Sequence, residues 1–220
     1  MGTTPITKAE LRKIIKTRLA SLSSGQFYEA GCHAARQLPL IPCWGGFRSV
    51  LAFFSMKDEI DTRPVMETII GSGKSLFVPR IEGDFLVFCR VLPPSSGVRT
   101  SFSTDQGSDF SDSPTKVPLR IPAEDPVQVI KPEDFPTLVI TPGLAFDRQF
   151  RRLGRGRGYY DRFFASLDSA GRIYTALGLC MDCQLVDEVP VEAWDKRMDM
   201  LLNQVMQYSI LPQNVLPGES

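Results

Sequence analysis

Five consecutive apolar residues, Val50-Leu51-Ala52-Phe53-Phe54, constrain the fold of this chain more than any other feature. The run is too short for a buried helix and lacks the alternation of a strand with one wet face. It therefore reads as a strand covered on both sides, the kind found in parallel sheets. Leu138-Val139-Ile140 and the run from Ile173 to Leu179 repeat the pattern. Leu76-Phe77-Val78 and Phe85-Leu86-Val87-Phe88-Cys89 read as two more strands, joined by a turn at Glu82-Gly83-Asp84, with Pro79-Arg80 expected to end the first.

Helices fall between these runs. Thr7-Lys8-Ala9-Glu10 has the form of a capping box, and Leu11, Ile14, Ile15, Leu19 and Leu22 line one face after it. Ser23 or Ser24 caps a second helix with Phe27, Ala30, Ala34 and Leu38 as its buried stripe, ended by Pro39 and Pro42. Asp61 or Thr62 caps a third, carrying Val65, Met66, Ile69 and Ile70 and stopped at Gly71 and Gly73. Strands alternating with helices predict an α/β protein, a mainly parallel sheet flanked by helices in three layers. At 220 residues one domain over 1–220 is expected. Residues 93–117 are rich in Ser, Asp, Thr, Gly and Pro and are expected to be mobile, as is the tail from residue 208.

Chemistry concentrates in residues 142–164. Pro142-Gly143-Leu144-Ala145-Phe146-Asp147 leads into Arg151-Arg152-Leu153-Gly154-Arg155-Gly156-Arg157-Gly158-Tyr159-Tyr160-Asp161. Alternate glycines strip side chains from the backbone, so its N–H groups can approach an anion, and the arginines between them present forked donors to phosphate oxygens. Tyr160, Phe163, Phe164 and Leu167 then follow with helical spacing, so the loop opens a helix whose N-terminus also favours an anion. No Gly-Lys-Ser/Thr follows, which excludes a P-loop, and Tyr159 stands where the dinucleotide fingerprint has its third glycine. A flexible Arg-Gly segment that touches RNA gives the same local pattern.

Lys plus Arg and Asp plus Glu both number 25, so the zero formal charge argues against a general nucleic-acid binder. Cys32, Cys43, Cys89, Cys180 and Cys183 are an odd number without framework spacing, as expected of reduced thiols in the cytoplasm. Cys180 and Cys183 form a C-x-x-C, but His33 is the single histidine, too few partners for zinc. His33 lies off the buried stripe and reads as a surface residue. No signal core and no membrane-length apolar run occur. Taken by themselves, Lys8 and Arg12 on the first helix, Glu59, Asp161 and the pair Asp195 and Asp199 each also read as ordinary solvated or helix-terminal charges.

Residues 142–147 and 152–161 together closely resemble the signature of the 5-formyltetrahydrofolate cyclo-ligases, also called methenyltetrahydrofolate synthetases. The resemblance implies their Rossmann-like fold and an ATP- and Mg2+-dependent closure of 5-formyltetrahydrofolate to 5,10-methenyltetrahydrofolate, with release of ADP and phosphate. It places Lys8, Arg12, Arg152 and the segment Leu153, Gly154, Arg155, Gly156, Arg157, Gly158, Tyr159 and Tyr160 at ATP, and Asp161 and Asp199 at magnesium. Phe54, Glu59 and residues 155–159 fall at the folate, with Arg155 and Tyr159 carrying the catalytic weight. A monomer with small-molecule substrates and no nucleic-acid or membrane partner is also expected. Two departures stand out: residues 95–116 look like an insertion, with Lys116 and Ile121-Pro122 resembling its return to the core, and Trp194 occupies a position where the family usually has His. A relative with altered substrate or lost turnover, or a sugar-phosphate or CoA enzyme on the same sheet, is the alternative.

Overall fold

The computed structural model describes residues 6–91, 129–203 and 209–210. The insertion at 95–116, Lys116, Ile121-Pro122 and all but two residues of the tail lie outside the described residues.

Three helices precede or interleave the first strands. Helix α1 (Lys8–Ala20) starts with the full capping box between Thr7 and Glu10 and buries Leu11, Ile15 and Leu19. Ser23 caps α2 (Ser24–Gln37), which buries Phe27, Ala30 and Ala34. After β1 (Ser49–Leu51) comes α3 (Arg63–Gly71), then the hairpin of β2 (Ser75–Glu82) and β3 (Phe85–Arg90). The chain returns in β4 (Thr137–Thr141), passes β5 (Ala145–Asp147) and β6 (Arg152–Leu153), and enters α4 (Tyr159–Ser169). Strands β7 (Tyr174–Leu179), β8 (Leu185–Val186), β9 (Met200–Leu202) and β10 (Ser209–Ile210) follow.

Seven strands form the main sheet in the order β10-β9-β7-β4-β1-β2-β3. The inner five run parallel, and the edge strands β3 and β10 are antiparallel to their neighbours. Side chains alternate between two cores. Val50, Leu76, Leu138, Ile140, Leu177 and Met200 face α1, α2 and α3, whereas Leu51, Phe77, Val139, Ala176 and Leu201 face α4. With both faces covered, these strands have no wet positions, which is why they read as unbroken apolar runs.

The order of connections positions the site. From β1 the chain steps outward to β2, and β4 then returns to the other side of β1, so the winding reverses between β1 and β4. Open α/β sheets bind ligands beyond the carboxyl ends of strands at such a reversal. Two segments leave there, a loop over residues 52–62 after β1 and a stretch over 142–158 after β4 that carries β5 and β6.

Several sequence expectations shift. Strand β1 stops at Leu51, because only Ala52 continues the ladder, donating to Phe77 O at 2.9 Å, before the chain turns off. Strand β2 does not end at Pro79-Arg80 but runs to Glu82. Val91 N donates to Leu76 O, so even-numbered residues of β2 bond to β3 and Pro79 turns its missing N–H to the side where β1 has already stopped. Ile14 is exposed, outside the buried stripe, and Ile173 is exposed ahead of β7. Thr62 holds the cap position of α3 without a side-chain capping bond, its hydroxyl donating to Phe53 O at 2.6 Å, and Asp61 accepts from Arg63 N instead. His33 is half-buried rather than on the surface, with its Nε2 buried without a hydrogen-bond partner.

Candidate active site at the β1–β4 reversal

The segment between β4 and the glycine loop is a folded unit, not an open loop. β5 pairs antiparallel with β6 and parallel with β8. The buried Asp147 carboxylate fixes the turn between β5 and β6, accepting from Gln149 N (2.9 Å), Arg151 N (3.0 Å), Val189 N (2.8 Å) and Arg151 Nε (2.6 Å). Gln184 Nε2 holds the start of the segment by donating to Gly143 O (2.7 Å) and Leu144 O (3.2 Å). Phe146 lies so close that a Cβ at Gly143 or Gly178 would meet its ring at 2.5 Å. Leu153 is buried in the core, so only its backbone is available to a ligand.

From this base the glycine loop rises. Gly156 (φ 104°) and Gly158 (φ 67°) take left-handed conformations that a side chain would strain, whereas Gly154 does not. Gly158 is the N-cap of α4 and supplies no side-chain cap, so the first N–H groups of that helix remain for another acceptor. Arg157 is exposed beside them, and Tyr159 and Tyr160 open the helix half-buried. Arg162 lies over the Tyr159 ring at 5.2 Å and donates to Asp84 O at the tip of the β2–β3 hairpin (3.0 and 2.7 Å).

Of the cations named from sequence, Lys8, Arg12, Arg152 and Arg155 each meet a specific partner, whereas Arg157 points to solvent. Arg155 reaches from the β4 loop to the β1 loop, donating from Nε to Glu59 Oε1 (3.0 Å) and from Nη2 to Asp58 Oδ1 (2.7 Å). Arg152 Nη2 donates to Asp161 Oδ1 (2.7 Å) and Nη1 to Pro142 O (3.3 Å). Arg12 Nε donates to Gly154 O (3.0 Å), and its guanidinium packs over Gly156. Lys8 Nζ is held by Asp195 (2.6 Å) and Glu192 (2.8 Å). So α1, the glycine loop, the β1 loop and residues 192–196 converge on one place.

Burial sets the electrostatics. Glu59 is only 9% exposed; this desolvation pushes its pKa above the usual carboxylate value, while Met56 N–H and Arg155 pull it partly back. For Lys8 partial burial disfavours the charge, but bonds to Asp195 and Glu192 outweigh it and the pKa rises. Arg155 behaves alike: burial works against its charge, and Asp58 and Glu59 more than compensate. Two polar atoms at the mouth of α4, Arg152 Nε and Tyr160 Oη, are buried without a hydrogen-bond partner.

Phe54 is half-buried and packs against the core beneath α1, α2 and α3. Asp199 is buried, and its Oδ2 accepts from Ala176 N at 2.8 Å on β7. Asp161 keeps its place in the first turn of α4. Among the described residues there is no group of three or more His, Cys, Asp or Glu able to enclose a metal ion. Asp58, Glu192 and Asp195 were not singled out as ligand partners by sequence. An acid in a polar loop reads as solvated, and only the fold reveals which cation it meets. No helix among the described residues is long and apolar enough to cross a membrane.

Comparison with known proteins identifies the family of the chain and matches its fold. A model of the 5-formyltetrahydrofolate cyclo-ligase family matches residues 5–204. The 5-formyltetrahydrofolate cyclo-ligase of Escherichia coli (strain K12) is 31% identical over 186 residues, covering 83% of this chain and 92% of its own. That of Mus musculus is 26% identical over 206 residues, covering 89% and 92%. In fold, the Aquifex aeolicus 5,10-methenyltetrahydrofolate synthetase superposes with a TM-score of 0.69 at 24% identity over 97% of both chains. The chain is therefore an enzyme, a ligase, and belongs to the 5-formyltetrahydrofolate cyclo-ligase family.

Proposed function

We propose that this chain closes 5-formyltetrahydrofolate to 5,10-methenyltetrahydrofolate at the expense of ATP, releasing ADP and phosphate. The observation that carries the reading is the bridge from Arg155 to Glu59 and Asp58, which joins the glycine loop to the β1 loop at the sheet reversal. A formyl group on nitrogen is an amide, so ring closure must expel an oxygen that leaves poorly. Phosphorylating that oxygen turns it into phosphate, and the neighbouring amine can then attack the carbon. The protein's share is positioning and charge stabilisation.

Lys8, Arg12, Arg152 and the backbone of residues 153–160 hold the triphosphate in this reading. The buried, unpartnered Arg152 Nε and Tyr160 Oη and the uncapped start of α4 suit a polyanion. Glu59, Phe54, Arg155 and Tyr159 hold the folate, with Arg155 placed where charge develops on the transferred phosphoryl group. Mg2+ commonly takes one or two carboxylates and completes its shell with phosphate and water, so the absence of a three-acid cluster among the described residues is compatible with it. Asp161 fits as its ligand, and Asp199, buried and bonded to Ala176 N, is the second carboxylate that this reading assigns to the ion. When bound, the ion neutralises phosphate charge. The reading takes the chain as a monomer, and its five free thiols are consistent with the cytoplasm.

The test is ADP formation that requires both 5-formyltetrahydrofolate and Mg2+. ATP turnover that is independent of the folate, or that persists in excess chelator, contradicts the reading.

A further inference from the structure

A ring of contacts closes around the mouth of α4. Lys8 holds Glu192 and Asp195, and the next residue, Lys196, donates its backbone N–H to Asp161 Oδ1 at 3.4 Å. The same Oδ1 takes Arg152, two residues before Gly154, whose carbonyl takes Arg12. Lys8 and Arg12 stand one turn apart on α1, which completes the circuit. Residues 192–196 thus form a strap pinned at one end to a phosphate-side cation and at the other to the acid assigned to magnesium. Lys196 is fixed a second time, its Nζ lying 3.5 Å from Asp168 and 5.0 Å from the centre of the Tyr174 ring.

Between the pins stands Trp194, 72% exposed and in neither apolar core. The packing of the described residues gives no reason for the largest side chain to be there. An indole offers a flat apolar face and little conformational freedom, which suits stacking on a purine ring. We propose that Trp194 stacks on the base of the bound nucleoside triphosphate, so that the strap grips the base while α1 and the glycine loop grip the phosphates. This rests on the ATP-dependent reading above and adds a partner for the base, which that reading leaves without one.

The chain has two tryptophans, and Trp44 sits apart against Lys74, so Trp44→Phe leaves Trp194 as the single indole reporter. In that variant ATP should quench the fluorescence, whereas inorganic tripolyphosphate, with the charges but no ring, should not. In the otherwise natural chain, Trp194→Ala should weaken ATP binding about tenfold while leaving tripolyphosphate affinity and the folate KM unchanged. Trp194→Phe should restore most of the loss. Trp194→Ala that binds ATP as tightly as the unaltered chain overturns the stacking, as does equal weakening of ATP and tripolyphosphate, which marks a mere strap support. An unaltered chain that binds no ATP overturns the underlying reading as well, so the two failures are distinguishable.

Discussion

The two sides of the site use the same device, a cation shared by one more buried and one more exposed acid, and differ in degree. On the β1 side Arg155 is held by Asp58 and by the buried Glu59, whose carboxyl is pushed above its ordinary pKa. On the α1 side Lys8 is held by Asp195 and by Glu192, whose side chain is 51% exposed. A buried acid that loses its partner is left as an uncompensated charge, whereas an exposed one returns to water at little cost. On the α1 side Glu192 is therefore the partner that gives up Lys8 to an incoming triphosphate at little cost, while Asp195, its side chain 14% exposed, keeps its hold. The β1 side is built to hold its geometry, with Asp58 keeping Arg155 in place when Glu59 turns to a ligand.

The contrast can be broken most severely at Arg155. Arg155→Ala should lower kcat/KM about a hundredfold, the usual cost of losing one preorganised donor at a developing charge, with an unchanged circular dichroism spectrum. Near-normal turnover in the folded variant would remove Arg155 from the reaction. Glu59→Gln should come next, with a loss of about tenfold or more, mainly in the folate KM. It also probes the pKa. The acid limb of kcat/KM in the unaltered chain should lie above the ordinary carboxylate range, and Glu59→Gln should move or flatten it.

The same shift has a stability consequence whose sign is fixed. The folded pKa of Glu59 lies above its unfolded value, so the native state binds more protons in the window between them. Its contribution to stability accordingly falls as pH rises through that window. Denaturant midpoints of Glu59→Gln against the unaltered chain should converge towards acid pH and favour the variant above it. Divergence of opposite sign would show that the Arg155 bond outweighs burial.

Smaller effects belong to the α1 side. Lys8→Ala should raise the ATP KM about tenfold and leave the folate KM alone, as expected for one charge-assisted phosphate contact. Glu192→Gln should change neither by more than about twofold, because a half-exposed ion pair contributes little. A Glu192→Gln effect as large as that of Glu59→Gln would erase the difference between the two sides.

What the sequence made legible follows from how local each rule is. The Thr7-Glu10 box and the start of α4 after Gly158 depend on a few consecutive residues and were readable. So was the α/β class, because strands buried on both faces leave a continuous apolar signature. The hairpin of β5 and β6 was not, since two- and three-residue strands in a glycine-rich segment are set by Asp147 gathering N–H groups from as far as Val189. Pro79 within β2 was misread because its tolerance depends on where the neighbouring strand stops. The positions of Lys8, Arg12, Arg152, Arg155 and Glu59 came from motif resemblance, but their partners are tertiary facts. Asp58 is 97 residues from Arg155 in sequence, and nothing local distinguishes it from a solvated loop acid.

The central claim is that this site converts 5-formyltetrahydrofolate, and one assay bears on it most directly. The purified chain, mixed with 5-formyltetrahydrofolate and MgATP, is followed by the near-ultraviolet absorbance of the methenyl product. The absorbance should rise, in step with ADP, and the rise should vanish when either substrate is left out. A flat trace from a natively folded chain with both substrates present would contradict the account.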